Sequence, residues 1–239
     1  MGSAVIPTPT LAAHVAPSVV YPSSDGEPVA ETFVHLYAIL TAIEVLKQYL
    51  TGQKATVLGN QFLYYMAGNP RARVAPDVMV IFDVEPGGRD HYKVWEEGQV
   101  PRVIFEMTSA STRSVDEVFK KTLYAHLGVQ EYWLFDPKEE WQGEALRGYT
   151  LVGEEYQPLA HRHSQALRLR LEVSQQLIQF YRLDTGEKLL APGELRESLI
   201  MTQNQLNTAQ NQLTQEQEKT AELEALLAQY RDRFGTLEP

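Results

Sequence analysis

The spacing of apolar positions divides the chain into segments of different kind. Between residues 31 and 50, Val34, Tyr37, Ala38, Thr41, Val45 and Tyr49 recur at helical spacing on one broad face. The pattern predicts an amphipathic helix over 31–50, stopped by Gly52. Two short β-type runs follow at 55–58 and 61–66, around a Gly59-Asn60 dipeptide that suits a hairpin turn. Val78 to Phe82 is an unbroken apolar, β-branched run, as expected of a strand covered on both faces. Residues 103–107 (VIFEM) and 131–135 (EYWLF) repeat that character. Between them, Ser114 and Glu117 stand at capping-box spacing, which predicts a helix starting at Val115 and closed by Gly128. Strand, helix, strand in that order is a crossover, so the reading is an α/β core with a mixed central sheet flanked by helices. Four more β-type runs, at 148–152, 155–159, 167–173 and 176–181, predict an antiparallel extension.

The two ends differ from this core. Pro7, Pro9, Pro17, Pro22 and Pro28 lie among small residues, so 1–30 reads as an extended or disordered arm. From Pro192 onward the period becomes seven. Leu199, Leu206, Leu213, Thr220, Leu227 and Phe234 alternate with Thr202, Ala209, Glu216, Leu223 and Tyr230. This predicts a C-terminal coiled-coil helix over 196–239, a central domain over 31–195, and a homo-oligomer, with the dimer expected.

Charge and composition narrow the class. A net charge of -10 over 239 residues leaves no global basic footprint, which counts against salt-driven DNA binding by the chain as a whole. A local basic groove or a bound metal remains open. With no cysteine, disulfides, thiolate chemistry and Cys-based zinc sites are excluded. The first cationic residue is Lys47, so the n-region of a secretory signal is missing, and Glu44 and Lys47 interrupt the most apolar helix. The expectation is a soluble cytoplasmic protein with no membrane segment.

The candidate chemistry gathers between Ala75 and Pro137. Asp77 opens one strand and Glu106 lies in another; two carboxylates on neighbouring strands suit a hard divalent cation such as Mg²⁺ or Mn²⁺ beside a phosphate. Against this, Asp77 also reads as a turn acid after Pro76, and Glu106 as an exposed strand-end acid. Lys120, on the following helix, either assists an attacking water or simply pairs with Asp116 one turn earlier. Its neighbour Lys121 points about 100° away and reads as a solvated residue. Thr108, Ser109, Ser111 and Thr112 offer hydroxyls near a helix N-terminus, or only loop chemistry. Tyr124 follows Lys120 by one turn and reads as a packing residue with an accessory role in reserve. His35, with Glu31 one turn earlier, is placed to reach the same site from the first helix. His161 and His163 have metal-pair spacing but no acid or Cys beside them. No GxGxxG, Walker, GxSxG or HExxH motif occurs.

The runs PDVMVI, IFEMTSAST and DEVFKKTLYAHLGVQEYWLFDP together resemble the Uma-type restriction endonuclease family, formerly a domain of unknown function, within the PD-(D/E)xK nuclease superfamily. Asp77, Glu106, Asp116, Lys120, Tyr124 and Tyr132 to Pro137 match that pattern residue by residue, and the resemblance spans about residues 31 to 195. It implies a restriction-endonuclease-like core, with Asp77 and Glu106 as metal ligands and Lys120 as the migrated lysine of the motif. The superfamily's lysine position, two residues after the acid, is Thr108 here, and Ala110 replaces the proline of the usual Ser-Pro-Ser-Thr. The implied activity is metal-dependent hydrolysis of nucleic acid, DNA favoured over RNA. Lys54, Arg71, Arg73 and Arg113 are candidate phosphate contacts. The alternative is a catalytically silent nuclease fold serving as a dimerisation or scaffolding module.

Overall fold

The structure, a computed structural model, describes residues 19–26, 32–109, 114–141 and 143–235. The expected arm over 1–30 therefore lies largely outside the described residues, as do Glu31, Ser111, Thr112 and Arg113. The chain divides into two compact units, one up to Glu187 and one from Lys188.

In the first unit, α1 (Phe33–Tyr49) leads into β1 (Ala55–Leu58), β2 (Phe62–Tyr64), β3 (Arg73–Val74), β4 (Val78–Phe82) and β5 (His91–Lys93). A short α2 (Val94–Glu97) precedes β6 (Val103–Met107). A π-helical turn, Val115–Lys120, runs directly into α3 (Lys121–Leu127), and β7 (Glu131–Phe135), β8 (Leu146–Val152) and β9 (Glu155–Pro158) follow. β10 (His163–Ser164), β11 (Leu169–Ser174) and β12 (Leu177–Arg182) complete the unit.

Among the described residues the main sheet has the order β1-β4-β6-β7-β8-β9. Its one parallel pair is β6 with β7, the crossover that the strand-helix-strand pattern requires. β4, β6 and β7 lie at the centre, and Val78 to Ile81, Val103 to Phe105 and Tyr132 to Phe135 are fully buried there. A strand buried on both faces has no polar side to alternate with, which is why these segments read as unbroken apolar runs. α1 packs on β1, β4, β6 and β12, while α3 reaches β9.

Local pattern and structure part company at four places. β1 and β2 do not form a hairpin: β1 pairs with β4, while β2 joins a small sheet between β3 and β5. Gly59-Asn60 is instead the point where the chain leaves the main sheet, with Asn60 at φ 56 and its N–H donated to the Pro76 carbonyl at 3.0 Å. Ser114 makes no side-chain cap and already has helical dihedrals, so the capping box does not form. On α1, Tyr37 is exposed, and the buried face centres on Ala38, Ile39, Ala42, Val45 and Leu46. The predicted extension also splits, since β8 and β9 lengthen the main sheet whereas β10, β11 and β12 pair separately.

The second unit holds a short β13 (Lys188–Leu189) and the 43-residue α4 (Pro192–Phe234). Pro192 starts this helix, where its missing N–H costs nothing. Glu194 reaches back to the Ala191 N–H at 3.0 Å. None of the described residues of α4 is buried. No helix among the described residues is long and apolar enough to cross a membrane.

Candidate active site

Glu106 is the centre of the site because the pleat of β6 turns it inward. Phe105 faces the other way and meets Phe180 edge-on, with ring centroids 6.0 Å apart. Glu106 is 1% exposed, and both of its oxygens are engaged. Tyr124 Oη donates to Oε1 at 2.7 Å, and Lys120 Nζ donates to Oε2 at 2.8 Å. Lys120 also lies 3.0 Å from Asp116 Oδ1. Asp116, Lys120 and Tyr124 are spaced four apart, which lines them along one side of the helical segment that follows β6. The π-helical turn carrying the first two has the wider i→i+5 closure often met at functional sites. Tyr132 Oη fixes the base of this arrangement by donating to the Asp116 carbonyl at 3.0 Å.

Asp77 immediately precedes the neighbouring strand, β4. Val78 pairs with Phe105, so the same register sets Asp77 opposite Glu106. Its Oδ2 accepts the Met107 N–H at 2.7 Å, and His35 Nε2 approaches that oxygen at 3.8 Å from α1. Gly59 packs closely against this segment: an added Cβ would run into the Ile43 side chain and fall 2.8 Å from the Asp77 carbonyl oxygen.

The electrostatics follow from burial and from neighbouring acids. Among the described residues, Asp77, Glu106 and Asp116 all act on the Lys120 ammonium. Desolvation, then the charges of Asp77 and Asp116, push Glu106 up to about 8, against the opposing pull of Lys120. Burial draws the Lys120 ammonium down, but Glu106, Asp116 and Asp77 outweigh it and hold the group above its ordinary value. Burial, reinforced by Glu106, raises the Tyr124 phenol, which stays a donor.

Glu106 spends one lone pair per oxygen on Tyr124 and Lys120 and retains the others. Among the described residues no group of three or more His, Cys, Asp or Glu side chains forms a ligand cage. Two carboxylates with waters and substrate phosphate suit Mg²⁺ or Mn²⁺, ions that rarely take all-protein cages.

Of the residues singled out from the sequence, the structure brings together Asp77, Glu106, Lys120, Tyr124 and His35. Thr108 is buried, and its hydroxyl faces the Phe135 carbonyl at 3.4 Å. Lys54 pairs with exposed Glu85 at 3.5 Å, and Arg73 lies over the Phe62 ring at 4.4 Å. Lys121 is not a free solvated cation, since its Nζ sits 3.6 Å from the centre of the Tyr149 ring. The His161 and His163 rings lie 5.9 Å apart. Asp116 is the residue that sequence reasoning undervalued. An i,i+4 acid-lysine pair looks alike on a wet and on a buried helix face, and only its 2% exposure separates the two.

A family model, Uma2, described as "Putative restriction endonuclease", matches residues 12–186. Among solved structures, a protein described as "a putative nuclease belonging to DUF820", from Anabaena variabilis, is similar over 57% of this chain and 72% of its own, with 14% identity and a TM-score of 0.41. No curated protein gives a match.

Proposed function

The chain belongs to the family described as "Putative restriction endonuclease", and from that premise we propose that it hydrolyses phosphodiester bonds in nucleic acid, DNA before RNA, with the aid of Mg²⁺ or Mn²⁺. The observation that carries the reading is the meeting of Asp77, Glu106 and Lys120 around one buried carboxylate. Asp77 and Glu106 would hold the ion, which supplies Lewis acidity toward phosphate and water. Tyr124 and Lys120 fix the Glu106 carboxylate in one orientation, so it does not have to reorganise when substrate arrives. Asp116 in turn fixes the Lys120 ammonium, leaving its remaining proton to face an attacking water or a phosphate oxygen. His35 stands beside Asp77 as a second hydrogen-bonding group. The exposed stripe of α4 supports a further part of the reading, that two copies of the chain pair through this helix.

Two observations favour the silent alternative. Lys120 is already committed to two carboxylates, and Thr108 supplies no cation where the superfamily motif has one. Calorimetry with Mn²⁺ on the wild type, Asp77→Ala and Glu106→Gln separates the two readings. The nuclease reading expects binding by the wild type that both substitutions abolish. Equal binding by all three proteins would place the ion elsewhere and overturn the assignment.

A further inference from the structure

We infer that two copies of α4 pair in parallel and in register, each residue beside its own counterpart. The inference deepens, and rests on, the proposal that this helix joins two chains.

A 43-residue helix with none of its described residues buried gains little from propensity alone, since helices in water owe most of their stability to a packed apolar face. α4 has such a face and leaves it bare. Leu199 is 62% exposed, Leu213 59%, Leu223 65% and Phe234 65%. The stripe keeps a strict seven-residue period, with Leu199, Leu206, Leu213, Thr220, Leu227 and Phe234 at a, and Leu195, Thr202, Ala209, Glu216, Leu223 and Tyr230 at d. That period drifts on a straight helix and stays in contact only when wound around another helix of the same repeat. A second copy of α4 carries such a stripe of equal length.

Charge selects the direction. In a parallel, in-register pair, each g residue faces the e residue five positions on in the other copy. Lys219 then meets Glu224 of the second copy, twice by symmetry. Gln205 meets Gln210 and Gln212 meets Gln217, and no like charges meet at these flanks. In an antiparallel pair of full overlap, Arg196 would meet Arg231 of the second copy, also twice, and Lys219 would gain only Gln212. The parallel pair carries one unfavourable layer, where Glu216 at d meets itself. Lys219 of the same chain, 3.1 Å from Glu216, offsets that charge.

The chain has no cysteine, so one introduced thiol reports the direction without background. Light scattering on the full-length wild type is expected to give a mass of two chains. Leu199→Cys is expected to keep that mass under reducing conditions and, once oxidised, to link to itself. In a mixture of Leu199→Cys and Tyr230→Cys chains, a parallel pair yields no mixed link, because the two positions lie about 45 Å apart along the axis at 1.5 Å per residue. A one-chain mass for the wild type overturns pairing and direction together, and a mass of three or four chains overturns the two-chain assignment. A two-chain mass with only the mixed link overturns the direction and leaves pairing intact. Should Leu199→Cys fall to one chain when reduced, Ser198→Cys at the seam edge takes its place with the same criteria. None of these outcomes bears on the nuclease reading.

Discussion

Glu106 sets the behaviour of the site residue by residue. Its carboxyl is raised from the usual 4.5 to about 8, so the folded chain keeps a proton that the unfolded chain has already lost. In that window the folded state binds more protons, and stability therefore falls as pH rises from about 4.5 to about 8. Thermal melts in EDTA across that range should show the decline for the wild type and a flatter profile for Glu106→Gln; parallel profiles would mean that Glu106 titrates normally. Lys120→Met removes the cation from two buried carboxyls. Deleting one partner of a buried pair costs about 3–5 kcal/mol, so urea unfolding at pH 8 should register a loss of that order. A loss below about 1 kcal/mol is the value of a solvated surface pair and would contradict the burial seen here. The pattern of acids and lysine was legible in the sequence because each stands at a strand end or one helical turn away. The direction in which Asp116 and Lys120 face was not, because burial is decided by the sheet that the helix crosses.

The same division between local and long-range causes holds for the elements. β1, β4, β6 and β7 could be read directly, since runs such as Val78 to Phe82 have no reading other than a covered strand or a buried helix, and their length selects the strand. What each strand pairs with was less accessible. The Gly59-Asn60 turn has hairpin chemistry, yet β1 finds a better neighbour in β4, which is apolar on both faces. β3, β5 and β10 are two or three residues long, too short to carry a period. Gly148 shows how tightly the crossover region is packed. It pairs with Trp133 across β7 and β8, and an added Cβ would lie 2.6 Å from the ring's Cη2 and 2.7 Å from Cε3. Trp133 is buried and rigid, so Gly148→Ala should cost about 1–3 kcal/mol through overpacking. An unchanged urea midpoint would show that the ring can move aside.

For the whole molecule, the proposed function raises the question of how an acidic chain would engage a polyanion. At a net charge of -10, long-range steering works against nucleic acid, and attraction has to come from the site itself. In EDTA at physiological salt, fluorescence anisotropy should detect little binding of duplex DNA, with affinity appearing on addition of a non-hydrolysed stand-in such as Ca²⁺. Tight binding in EDTA would point to a basic surface that this account does not use. The heptad stripe of α4 was legible from the sequence because a seven-residue period needs no tertiary context, whereas the proposed pairing and its direction would depend on a second chain.

A nuclease site built on Asp77, Glu106 and Lys120 is open to a direct test. The measurement that tests it most directly is cleavage of supercoiled plasmid, single-stranded DNA and RNA by the purified full-length chain with Mg²⁺ or Mn²⁺, set beside Asp77→Ala. Cleavage of at least one substrate is expected, lost in EDTA and lost in the variant. Cleavage that survives Asp77→Ala, or a wild type that binds the metal and cuts none of the three, would contradict it.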